Sequence, residues 1–174
     1  GLDGKHGIRF VFPNAPAIPV TINQGYVMPA WYDILEMSLE RKIDTAQIEQ
    51  SASSIRALIA QENERGVPSE HIVIAGFSQG GAVAYQTALS YDKPLAGLLT
   101  LSTYLATKDS LVLSDANKNL KIAIHHGTQD PVVPVQLGQE AKAWLESKGY
   151  SRSFTAIRWR TRYVCPNSKL SVNG

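Results

Sequence analysis

The stretch "HIVIAGFSQGG", residues 71–81, decides the fold. The apolar run through Ala75 predicts a strand over 71–77, and "QGGAVAYQTALS" (79–90) predicts a small-residue helix packed close to it. Between them stands Gly76-Phe77-Ser78-Gln79-Gly80. Strand, G-x-S-x-G, helix is the pattern of a turn that holds a serine up for attack. Such a turn is tight enough that the residues flanking the serine must be small. Gly76 and Gly80 meet that need, and Gly81 and Ala82 let the helix approach. The Ser78 hydroxyl is left at the carboxyl end of a strand and the N-terminus of a helix, where developing negative charge is favoured. The backbone N–H of Gln79 is placed to be one oxyanion donor. The competing reading is a Gly-rich turn that only packs closely or cradles a phosphate. The strand and helix on the required sides favour the nucleophile.

Working outward, strands alternate with helices. "IRFVFPNAP" (8–16) reads as a buried strand ended by Pro13 and Pro16. "AWYDILE" (30–36) reads as a short helix or an ordered loop. Asp44 precedes a long helical pattern in which Ile48, Ala52, Ile55, Leu58 and Ile59 keep helical spacing, with Asp44 and Gln47 placed as a cap. "RGVP" (65–68) stops it. "LAGLLTLS" (95–102), "LKIAIHHG" (120–127) and "SRSFTAI" (151–157) read as further strands, and "GQEAKAWLESKG" (138–149) as an amphipathic helix. This alternation is the signature of a parallel α/β sheet.

A serine nucleophile of this kind takes its acid from a loop after a later strand. "IAIHHGTQDPVVP" (122–134) supplies Asp130, braced by Pro131 and Pro134. The plainer reading is an Asp-Pro turn. Asp109 and Asp115, on a polar stretch, are weaker candidates.

The 174 residues suffice for one domain with a sizeable core. No apolar run reaches the roughly 18 residues of a membrane span, and no signal-peptide pattern opens the chain. Cys165 is the only cysteine, so no intrachain disulfide forms; a cytoplasmic location fits. The net charge of +2 hides an asymmetry. Residues 1–150 carry 12 Lys and Arg against 15 Asp and Glu, while residues 151–174 carry five cations and no acid. The mildly acidic body gives no reason to expect nucleic acid or an anionic membrane as partner.

"RFVFPNAPAIPVTINQGYVMPAWYDI", "AGFSQGGAVAYQTAL", "LSTYL" and "HHGTQDPVVP" strongly resemble the bacterial carboxylesterases of the phospholipase/carboxylesterase family. These are α/β-hydrolases related to acyl-protein thioesterases and lysophospholipases. The resemblance runs from about residue 8 to 156. It implies an α/β-hydrolase fold, a mostly parallel sheet flanked by helices, and hydrolysis of small-molecule carboxylic esters, often with short acyl chains. It implies Ser78 as nucleophile and Asp130 as the acid that orients the base, and it places Trp31 and Leu105 near the acyl-binding surface. It implies no metal or organic cofactor. The expected partner is a small-molecule ester, with no nucleic acid and no stable membrane anchor, and a homodimer is compatible with the sequence.

The chain departs from the family in two places. Nothing like the family's His-Gly-Leu-Gly loop, which supplies the second oxyanion N–H, precedes "RFVFP". The strand that carries that loop lies, in the family's sheet, between the "RFVFP" and "HIVIAGF" strands. The chain therefore reads as lacking N-terminal strands, and the two flanking strands must either pair directly or leave ladder groups unpaired.

The second departure concerns the base. The histidines are His6, His71, His125 and His126, and none follows Asp130. The family's last strand ends in a segment like Tyr-Pro-Met-x-His-Ser-Val-Cys, where this chain has "AIRWRTRYVC" (156–165). Plausible codons for that stretch, read from the last base of the Ala156 codon, spell Tyr-Pro-Met-Ala-His-Ser-Val-Cys. The recovered histidine codon straddles Arg160 and Thr161. A frameshift near Ala156 accounts for the lost periodicity and the basic tail. Residues 1–156 then form one α/β-hydrolase domain, and 157–174 an aberrant tail. The alternative for the tail is a nucleic-acid-binding segment, since Arg158, Trp159, Arg160, Arg162 and Tyr163 interleave cations and aromatics. Rescue by His125 or His126 requires one of them to face the site. Adjacent strand residues face opposite sides, so at most one can. His71 lies at the far end of its strand from Ser78. The literal chain is thus expected to be a weak or inactive esterase. A thioesterase or lysophospholipase of the same family, or a non-catalytic ligand-binding relative, is the alternative.

Overall fold

A computed structural model describes residues 7–36 and 41–158. Its centre is a four-stranded sheet in the order β5-β6-β7-β8, formed by β5 (Val73–Phe77), β6 (Gly97–Leu101), β7 (Ile122–Gly127) and β8 (Arg152–Ile157). All three pairings are parallel, as the alternation of elements predicts. The register sets Gly76 beside Thr100 and Thr100 beside Ile124, and sets Phe77 beside Leu101 and Leu101 beside His125.

Three helices pack with it: α1 (Thr45–Glu64), α2 (Gln79–Ser90) and α3 (Val135–Ser147). Asp44 caps α1 by accepting the Gln47 N–H at 3.0 Å. Its buried stripe of Ile48, Ala52 and Ile59 follows from the spacing of those residues. Helix α1 lies on α2. Ala84, Tyr85, Ala88 and Leu89 of α2, with Ala141 and Leu145 of α3, bury Ile74, Leu98, Ile122 and Ile124 of the sheet. A second apolar cluster joins Tyr32, Ile48, Ala52, Ala82, Val83, Tyr104, Val133 and Leu137, so it ties α1, α2, α3 and three loops together.

The N-terminal region differs from the expectation. Residues 8–16 form no strand, and Phe10 and Phe12 are 65% and 84% exposed, stacked on each other. Apolar content alone does not make a strand; it needs a ladder partner. Residues 8–12 do not pair with β5, which is an edge of the sheet among the described residues. Arg9 instead pairs with Glu62 of α1 at 3.3 Å. Beyond this segment two ribbons appear that the sequence pattern did not announce. Strands β1 (Ala17–Val20) and β2 (Tyr26–Pro29) form an antiparallel hairpin, turned by Gln24 and Gly25 at φ 58° and 76°. Strands β3 (Ile34–Glu36) and β4 (Lys42–Ile43) form a second. Of the stretch 30–36, residues 30–33 form the ordered loop of one reading, and Ile34–Glu36 form β3, which neither reading expects.

Candidate active site

Ser78 sits between β5 and α2 with φ 52° and ψ −121°, a conformation that disfavours any residue with a Cβ. The turn is held from both sides. The Ser78 N–H donates to the Leu101 carbonyl at 3.0 Å. The Ser78 carbonyl accepts from the Gly81 N–H at 3.0 Å and from the Thr103 hydroxyl at 2.6 Å. The glycines divide the work unequally. A Cβ on Gly76 would lie 2.2 Å from the Gly80 carbonyl oxygen, and one on Gly81 would lie 2.5 Å from Thr103 Cγ2. A Cβ on Gly80 would meet only the Trp31 Nε1 at 3.6 Å. Close approach thus requires glycine at 76 and 81.

The segment after β6 couples this turn to β7. Ser102, fully buried at φ 44°, donates its N–H to the His125 carbonyl at 2.8 Å, and its Oγ accepts the Gly127 N–H at 3.2 Å. The loop after β7 carries Asp130, 8% exposed. Its Oδ1 accepts the N–H groups of Val132 and Val133, both at 2.9 Å. The Val133 carbonyl accepts from His126 Nε2 at 2.8 Å, which places the His126 proton on Nε2. Asp130 therefore lies past the carboxyl end of β7, two strands from β5, and at the same end of the sheet as Ser78.

The two histidines of β7 part as neighbouring strand residues do. His126 is fully buried under α3, its Nδ1 without a hydrogen-bond partner and facing Gly138, where a Cβ would lie 2.4 Å away. That is the structural role of a strand-end histidine. His125 occupies the opposite face, half-buried, with Nδ1 likewise unpartnered. The expected histidine position at Arg160 and Thr161, and the basic aromatic run from Trp159 onward, lie outside the described residues.

Trp31 is brought to the turn by contacts the sequence did not reveal. Its N–H donates to Gln79 Oε1 at 3.1 Å, and its carbonyl accepts from the Ser51 hydroxyl at 2.5 Å. Gln79 Nε2 donates to the Tyr32 carbonyl at 3.1 Å. Behind it the hydroxyls of Tyr32 and Tyr104 meet at 2.7 Å. Arg41 lies over the Tyr104 ring and donates to the Val132 carbonyl. Burial, then the neighbouring Tyr104, holds the Tyr32 phenol well above its usual pKa; burial also raises Tyr104. Leu105 is buried, in the core cluster with Tyr85 and Leu89. Among the described residues no group of three His, Cys, Asp or Glu could hold a metal ion, and no helix is long and apolar enough to cross a membrane.

The profile of the family described as Phospholipase/Carboxylesterase matches residues 5–168. Among curated relatives, acyl-protein thioesterase 1 of Schizosaccharomyces pombe is 42% identical over 143 residues, covering 81% of this chain and 63% of that protein. Acyl-protein thioesterase 1 of Gibberella zeae is 36% identical over 163 residues, covering 88% and 67%. The chain thus spans about two thirds of the length of these relatives. Among solved structures, SOBER1 of Arabidopsis thaliana aligns with a TM-score of 0.80 at 31% identity, covering 88% of this chain and 76% of that one. These relatives are fungal and plant proteins, whereas the motifs resembled bacterial carboxylesterases.

Proposed function

The chain belongs to the phospholipase/carboxylesterase family, an α/β-hydrolase fold, and from that premise we propose that it derives from a serine hydrolase that cleaves acyl thioesters and carboxylic esters. The observation that carries the proposal is the backbone of Ser78: a positive φ at a strand-to-helix turn, pinned by four hydrogen bonds at the carboxyl end of a parallel sheet. Strain of this kind persists only where the surroundings over-determine it, and it clusters at working sites. The relatives named acyl-protein thioesterase support thioesters as the first substrate class to try. Small carboxylic esters, the class the motifs first suggested, come second.

In this reading the Ser78 hydroxyl attacks the acyl carbonyl, and its proton passes to a base. The Gln79 N–H receives the oxyanion; its collapse breaks the acyl C–S or C–O bond, and the leaving thiol or alcohol takes the proton from the base. Water, giving a proton to the same base, then attacks the acyl-Ser78 ester, the carboxylic acid departs, and the proton returns to the Ser78 oxygen. Asp130 orients the base. A base after Asp130 requires the frame restored beyond Ala156. Losing the base of such a triad costs on the order of 10⁶ in turnover.

The test is a paired assay with an S-acyl thioester and a p-nitrophenyl ester. One sample is this chain. The other carries Tyr-Pro-Met-Ala-His-Ser-Val-Cys in place of residues 157–164. Turnover by the second alone, abolished by Ser78→Ala, is expected. Equal turnover by both, through Ser78, would mean that a base already present serves, and a proposal built on a lost histidine would fail. The thioester-to-ester rate ratio chooses between the two substrate classes.

A further inference from the structure

We infer that the side chain of Gln79, and not only its backbone N–H, is a positioning residue: it fixes Trp31 as a wall of the acyl site and so sets acyl-chain preference. The inference rests on the acyl-hydrolase reading of Ser78. A primary amide has one acceptor and one donor end. Gln79 uses both on adjacent peptides of one segment, accepting from the Trp31 N–H and donating to the Tyr32 carbonyl, each at 3.1 Å. The residue next to the candidate nucleophile thereby clamps a loop 48 positions earlier in the chain. The segment is also held from α1, where Ser51 holds the Trp31 carbonyl and Gln47 Oε1 accepts the Asp33 N–H at 2.7 Å, and from Thr21 and Tyr104, which bond Asp33 and the Tyr32 hydroxyl. Among the described residues, Gln79 supplies the hydrogen bonds that tie it to the turn itself. Trp31 Nε1 consequently stands beside Gly80, two residues past Ser78. Trp31 is partly exposed, and it also lines a cleft of about 370 Å³ with Pro16, Ile18, Gln47 and Ser51. A substrate held at Ser78 with its carbonyl oxygen on the Gln79 N–H has its acyl chain within reach of that indole. Neither leucine nor glutamate reproduces the clamp. Leucine lacks both polar ends, and an ionised glutamate accepts from Trp31 but repels the Tyr32 carbonyl.

The experiment uses the chain with Trp144→Phe and Trp159→Phe, so that Trp31 alone fluoresces. Acrylamide quenching is measured for Gln79, Gln79→Leu and Gln79→Glu. The Stern–Volmer constant is expected to at least double in the leucine variant and to rise less in the glutamate variant. Unchanged quenching in the folded variants overturns the clamp; if the leucine variant does not fold, the glutamate variant decides. Titration of the same proteins with sodium butyrate and sodium decanoate, followed through Trp31, tests the consequence. The ratio of the two apparent Kd values is expected to shift at least threefold in the leucine variant, and an unchanged ratio overturns the specificity role. If neither carboxylate binds the parent protein, the acyl-site reading itself fails, and that result is distinct from an intact or broken clamp.

Discussion

The Thr103 hydroxyl donates a 2.6 Å hydrogen bond to the Ser78 carbonyl oxygen. That carbonyl and the Gln79 N–H belong to one planar peptide unit. Fixing the first therefore aims the second in the opposite direction, toward the carboxyl end of the sheet. Thr103 also fills the space beside Gly81, and the Gly80 carbonyl fills the space beside Gly76. Gly76→Ala and Gly81→Ala are expected to destabilise by about 1–3 kcal/mol or more through overpacking. Gly80→Ala has room for its methyl and gains helix propensity of up to about 1 kcal/mol, so it is expected to be neutral or slightly stabilising. Urea denaturation of the three variants checks the order. A Gly80→Ala variant as unstable as the other two would show that the turn is tight at a different glycine.

The turn was legible in the sequence because its geometry is local: glycines at 76, 80 and 81 state how closely strand and helix meet. What the pattern could not tell was which glycine each neighbour abuts, since Thr103 arrives from the loop after β6. Trp31 and Gln79 are joined by side-chain bonds over 48 positions, and no periodicity records such a bond. Residues 8–12 misled because apolar residues announce a strand without announcing its partner. The β1–β2 hairpin was hidden for the opposite reason. Pro19 and Pro29 argue against strands, yet in a two-stranded ribbon every strand has a free edge where proline is tolerated.

His126 and Gly138 form a second tight pair, and it holds the Asp130 loop. His126→Ala removes the donor to the Val133 carbonyl and opens a void beneath α3. An orphaned carbonyl together with lost packing is expected to cost roughly 2–4 kcal/mol. Gly138→Ala drives a methyl onto His126 Nδ1 and is expected to cost about 1–3 kcal/mol. In the double variant the methyl has room, so the sum of the single effects should exceed the double effect by at least about 1 kcal/mol. A double-mutant cycle by urea denaturation measures it; simple additivity would break the link between the two residues.

Tyr85 gives the fold a limit on the alkaline side. It is fully buried, its hydroxyl accepts from Thr100 at 3.0 Å, and burial pushes its pKa up to about 12. In the unfolded chain a tyrosine ionises near pH 10. The folded pKa is the higher one, so the stabilisation is complete below about pH 10 and is lost as pH rises toward 12. Each such tyrosine lowers stability by up to ~1.4 kcal/mol per pH unit in that window. Tyr32 and Tyr104, shifted the same way, steepen the fall. Urea midpoints between pH 9 and 11.5 should drop, less steeply for Tyr85→Phe than for the parent. Parallel curves would show that Tyr85 is not protected from ionisation.

Ser78 itself carries the most informative substitution. At φ 52° and ψ −121° its Cβ costs on the order of 1–3 kcal/mol, and glycine does not bear that cost. Ser78→Ala keeps the Cβ and the strain, while Ser78→Gly sheds both. Glycine also gains freedom in the unfolded chain, which offsets part of the benefit by roughly 0.5–1 kcal/mol. Ser78→Gly is therefore expected to be more stable than Ser78→Ala by about 1 kcal/mol, with the same dependence on urea. Both lack the hydroxyl, so the difference reports the backbone alone. A glycine variant no more stable than the alanine variant would mean that the turn holds Ser78 without strain. The conformation would then lose its force as the sign of a working nucleophile.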